Sequence, residues 1–135
     1  MKKVDEIKNL IHIITDLLAK EGKTMSDENF NLNAGQLIAY AQILDIKKPK
    51  AYEQQYTTGG IADNINYWTR QRKANKVKAI ELNYFSKSVE ELKAELKKAE
   101  EDEQAAYKAG GQNQKQIVNA IERQYAVKYA INNIE

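Results

Sequence analysis

Residues 88–134 read SVEELKAELKKAEEDEQAAYKAGGQNQKQIVNAIERQYAVKYAINNI, and the reading of this stretch decides the fold. Before the glycine pair, Val89, Leu92, Leu96, Ala99, Glu103 and Ala106 recur at alternating spacings of three and four. That period puts them on one narrow stripe of an α-helix. Beyond the pair, Ile117, Ile121 and Tyr125 recur every four residues, with Val118, Ala120, Gln124, Val127, Ile131 and Ile134 on nearby faces. At about 100° per residue the second arc is about 200° wide, more than one neighbouring helix covers, so it requires a third contact. Ser88 with Glu91, and Asn113 with Gln116, have the spacing of capping boxes, and Gly110-Gly111 supplies the stop between them. The spacing therefore predicts a long C-terminal antiparallel helical hairpin over 88–134, within an all-α, compact helical bundle.

Working back from the hairpin, residues 61–85 predict one basic, aromatic helix. Ile61, Ile65 and Trp68 share a face that continues into Arg72 and Lys76, whereas Val77, Ile80 and Tyr84 are rotated from it by about 90–120°. This offset is read as one helix packed differently at its two ends, since no proline or glycine interrupts it. Residues 1–60 predict short N-terminal helices and a connection. The first, over 5–20, presents Ile7, Leu10, Ile11, Ile14, Leu17 and Leu18, with His12 at the edge and Gly22 as a stop. Polar residues 24–33 read as a connection, and Asn33 with Gln36 as the cap of a helix presenting Ala34, Leu37, Ile38, Ala41 and Leu44. Pro49 stops that helix, Tyr52 and Tyr56 seal a core edge, and residues 57–60 mark a further boundary. The whole, residues 1–135, is expected to form one all-helical domain.

Composition narrows the chemistry. With no cysteine and a single histidine, thiol nucleophiles, disulfides and multi-histidine metal sites have no residues to use. No phosphate-binding loop, zinc-protease motif, serine elbow or calcium loop occurs, and Glu100, Glu101, Asp102 and Glu103 are consecutive, as in a solvated charge run. No apolar run spans a membrane or marks a signal segment, so a cytoplasmic location is expected. The prediction is a protein that is not an enzyme and needs no cofactor or metal.

The net charge is only +2, but between Asn64 and Ile80 there is no acidic residue while Arg70, Arg72, Lys73, Lys76 and Lys78 fall inside the interval. These five are the candidate partner-binding residues, with Tyr67 and Trp68 as candidate stacking groups. Three functions compete for them. The first is a noncatalytic regulator whose basic helix binds an acidic protein surface and so inhibits or assembles a nucleic-acid-processing complex. The second is a DNA- or RNA-binding accessory protein in which the cations contact phosphate and an aromatic ring stacks on a base. The third is a homo-oligomeric scaffold that pairs through the broad arc of residues 88–134.

Overall fold

A computed structural model describes residues 4–47, 54–110 and 113–134. The chain is all-α, with five α-helices among those residues: α1 (Val4–Glu21), α2 (Asp27–Lys47), α3 (Thr58–Glu81), α4 (Val89–Lys108) and α5 (Gln114–Asn132). Short 3-10 turns occupy Gln54–Tyr56 and Tyr84–Ser86. The chain divides into two compact units, one of Met1–Lys23 with Asp27–Gln71, the other of Thr24–Ser26 with Arg72–Glu135.

In the first unit α1 packs on α2. Ile7, Ile11, Ile14 and Leu18 are the buried residues of α1, a four-three-four spacing along one face, while Leu17 from the predicted face is 37% exposed. Gly22 ends this helix at close quarters: its N–H donates to the Leu18 carbonyl at 2.8 Å, and a Cβ there would lie 2.4 Å from the same oxygen. Glycine is the residue that the approach permits.

Helix α2 starts six residues before the predicted Asn33, which corrects the reading of 24–33 as a connection. Asp27 and Glu28 sit in its first turn, where carboxylates complement the helix dipole. Phe30 then opens the buried stripe that continues through Ala34, Leu37, Ala41 and Leu44. Asn33 lies inside the helix and its side-chain amide donates to the Asn29 carbonyl at 2.8 Å, so it caps nothing. The sequence pattern missed this start because the polar run Asn29, Asn31 and Asn33 alternates with the apolar residues it was meant to delimit. The predicted stop at Pro49 and the predicted role of Tyr52 lie outside the described residues.

Helix α3 begins at Thr58, three residues before the predicted start. Thr57 is its cap: the hydroxyl accepts from the Gly60 N–H at 2.9 Å, and the carbonyl accepts from the Ile61 N–H at 2.9 Å. The Thr58 hydroxyl donates to the Asp45 carboxylate, which ties this turn to α2. The helix is continuous through Glu81, and the division between the two units falls within it, after Gln71. It ends at Glu81, four residues before the predicted end at Phe85, and just beyond it Asn83 takes the left-handed conformation (φ 63°).

In the second unit Ala79, Tyr84, Leu92, Ala126, Val127 and Ala130 form a buried core, with Leu82, Phe85, Leu96, Ile131 and Ile134 packed against it. Burial of each large apolar side chain here contributes on the order of 1.5–3 kcal/mol. α4 packs on α5, and α5 on the turn at Tyr84–Ser86. The predicted stripe of α4 holds: Leu92, Ala99 and Ala106 are buried, and Val89, Leu96 and Glu103 half-buried. Glu103 earns its inward place by accepting from the Gln124 amide of α5 at 2.6 Å, beside an Arg123–Asp102 ion pair at 2.8 Å. Ser88 and Glu91 form the predicted capping box, the Ser88 hydroxyl accepting from the Glu91 N–H and the Glu91 carboxylate accepting from the Ser88 N–H; hydrogen bonding to Ser88, its backbone first, holds the Glu91 carboxyl below its ordinary value. Gly110, at φ 100°, follows the end of α4 as the stop signal requires. Asn113, by contrast, makes no side-chain cap bond, so the second predicted box is not formed.

The arc of α5 is placed differently from its prediction. Tyr125 is 38% and Val118 51% exposed, while Ala120, Ala126, Val127, Tyr129 and Ala130 are buried. A further contact forms near the C-terminal end of α5, on residues outside the predicted arc. There the Phe85 ring meets Tyr129 edge-on at 6.3 Å, and the Asn132 and Asn133 amides donate to the carbonyls of Thr24 and Met25.

Candidate partner-binding face of helix α3

Beyond Gly60 in its first turn, the buried residues of α3 are Ile61, Trp68, Arg72 and Ala79, with Ile65 and Asn75 half-buried between them. These positions keep one three-and-four spacing along the helix. The predicted rotation of the apolar face is therefore absent: the stripe runs on through Arg72, and the aliphatics read as its second half are turned out. Val77 is 45% and Ile80 58% exposed.

Arg72 accounts for this. The residue is 6% exposed, its guanidinium Nη1 donates to the Met25 carbonyl at 2.9 Å, and its Cζ lies 5.3 Å from the centre of the Tyr129 ring. A buried guanidinium needs such hydrogen-bond and ring partners, because leaving water uncompensated is costly. Arg72 is therefore an interior residue and leaves the predicted surface set. Trp68, 6% exposed, is likewise interior, so its ring is not displayed for stacking on a base. Tyr67 is 45% exposed and has the Lys23 ammonium 5.6 Å from its ring centre.

Of the other predicted cations, Arg70, Lys73 and Lys76 are exposed. Lys78 is half-buried and faces Glu122 of α5 at 4.0 Å, so its charge is directed along the unit's own surface. Within the second unit, Lys73, Lys76, Val77 and Ile80 are spaced at three, four and seven residues and share the outward side of α3. Arg70 precedes Lys73 by one turn. The face thus alternates cations with aliphatic side chains, and the sequence missed the aliphatic half because it counted Arg72 as surface and Ile80 as core. The discriminating signal was Ala79, whose small side chain continues the spacing of Ile61 and Trp68.

Elsewhere in the second unit an open cleft of about 560 Å³ is lined by Lys97, Glu100, Glu101, Glu103, Gln104, Ala105, Lys108 and Gln124. Its mixed charges are solvated, and its Glu103 is already bonded to Gln124. Among the described residues no group of three or more His, Asp or Glu side chains is placed to hold a metal ion. None of the described helices is long and apolar enough to cross a membrane. Compared with protein-family models, curated proteins and solved structures, the chain matches none.

Proposed function

We propose that the chain is a noncatalytic cytoplasmic binding protein that docks an acidic, partly apolar protein surface on the outward side of α3. The observation that carries this reading is the exposure of Val77 and Ile80 among Lys73 and Lys76. Cations alone would suit phosphate as well as carboxylate. Two aliphatic side chains on the same face gain only from a partner that removes them from water, which a protein surface does and a phosphate backbone does not. The interior position of Trp68 further favours protein over single-stranded nucleic acid, because it leaves Tyr67 alone of the two candidate stacking rings exposed. In this reading α4 and α5 act as an antiparallel hairpin that braces the C-terminal half of α3, and the regulator works by covering or bridging surfaces of a larger complex.

The test compares two probes, a glutamate-rich amphipathic peptide and an oligonucleotide of similar charge, against two variants, Lys73→Glu/Lys76→Glu and Val77→Asp/Ile80→Asp. Peptide binding lost in both variants, with helicity kept, is the expected result. Oligonucleotide binding that falls steeply with salt and responds only to the lysine variant would overturn it in favour of nucleic acid.

A further inference from the structure

Helix α2 carries a second stripe, apolar except at Gln36, on the side opposite its buried one. Leu32, Gln36, Ala39, Ile43 and Ile46 follow one another at four, three, four and three residues, the spacing of a helix–helix seam. All five are exposed, Leu32 by 60% and Ile46 by 80%. At about 100° per residue this stripe is centred about 180° from Phe30, Ala34, Leu37, Ala41 and Leu44. A helix apolar on two opposite sides is a helix with two partners, and among the described residues only one of those sides is buried.

The charge pattern says what the second partner is. Residues 29–44 contain no Asp, Glu, Lys, Arg or His, so the middle of the stripe offers nothing to a charged surface and nothing that repels a copy of itself. Charge is confined to the ends: Asp27 and Glu28 open the helix, Lys47 closes it, and the sequence continues with Lys48. Asp45 lies off the stripe and is engaged by Thr58. Parallel self-pairing would set acid on acid and lysine on lysine. Antiparallel self-pairing sets the acidic end of one helix beside the lysine end of the other, and matches Leu32 with Ile46 and Ala39 with Ala39. Gly35 and Ala39 let the two backbones approach, and nothing lies within 4 Å of the space that a Gly35 side chain would fill.

We propose that α2 pairs with α2 of a second copy of this chain, antiparallel and about a two-fold axis near Ala39. Such a contact is self-complementary and closes at two copies. It is independent of the reading of α3, and its variants touch no residue of that face.

The experiment is sedimentation equilibrium of the full chain from low micromolar to several hundred micromolar, alongside cysteine cross-linking, which the absence of native cysteine makes clean. Wild type is expected to shift reversibly from one to two chain masses, and Ile43→Glu to weaken the association at least tenfold with its circular dichroism unchanged. Under mild oxidation Leu32→Cys mixed with Ile46→Cys is expected to give the linked dimer, and Leu32→Cys alone is not. A monomer at every concentration, an assembly that grows beyond two copies, or efficient self-linking of Leu32→Cys would overturn the proposal.

Discussion

The outward sides of α2 and α3 carry exposed aliphatic residues at similar helical spacing, yet they are built for different company. On α2, Leu32, Ala39, Ile43 and Ile46 stand in an uncharged stretch, and opposite charges are held at the two ends. On α3, Val77 and Ile80 share the outward side with Lys73 and Lys76, charges of one sign. A two-fold contact brings each face against itself, so the single-sign face of α3 repels its own copy while the neutral face of α2 does not. Apolar exposure alone marks both as sticky. The placement of charge decides whether the complement is another molecule or the same one.

That comparison depends on where the outward side of α3 begins, and Arg72 sets the limit. Replacing Arg72 by Ala removes a charged hydrogen bond to the Met25 carbonyl and a cation–π contact with Tyr129, and is expected to lower stability by about 2–4 kcal/mol. Arg70→Ala, at an exposed site two residues away on α3, is expected to change it by no more than about 0.5 kcal/mol. Urea unfolding of the two variants reads the difference. Equal, small losses would return Arg72 to the surface set and dissolve the distinction between the inward and outward sides of α3.

Next in size is the crossover between the two faces. Val77→Asp/Ile80→Asp should abolish capture of the acidic peptide and leave the sedimentation behaviour untouched, whereas Ile43→Glu should do the reverse. Each loss is expected to be tenfold or more, about 1.4 kcal/mol. If one variant impairs both associations, the two faces serve one interface and the contrast between them fails.

Much of this organisation was legible from residue spacing, and the failures have a common cause. The inward stripe of α4, including polar Glu103, was read correctly because small, apolar and hydrogen-bonding residues there keep one uninterrupted period. The Ser88 cap was read correctly because both halves of its reciprocal bond are local. α3 misled where a buried arginine interrupted the apolar run: Arg72 is stabilised by Met25 and Tyr129, which lie far away in sequence, so no local pattern announces it. On α2 the buried stripe and the outward stripe overlap in sequence and cancel any one-sided amphipathic signal. Only the burial of Phe30, Leu37 and Leu44 separates the face that folds the chain from the face left over. The basic set was legible as composition, but which cations reach the surface was not.

The smallest expected effect tests the α2 face most directly. Gly35 lies inside α2, flanking the outward stripe, at ordinary helical geometry and with open space where a Cβ would go. In dilute solution Gly35→Ala should stabilise the chain by about 0.5–1 kcal/mol, because alanine gives up less backbone entropy than glycine in a helix. At high concentration the same methyl enters the proposed contact between two copies, where close-packed backbones leave it little room, and the gain should shrink as dimer forms. Thermal unfolding of both proteins across a dilution series measures that difference. A constant gain at all concentrations would mean that the glycine side of α2 stays in water, and that the neutral stripe meets its partner, if it pairs at all, in some other register than the one centred on Ala39.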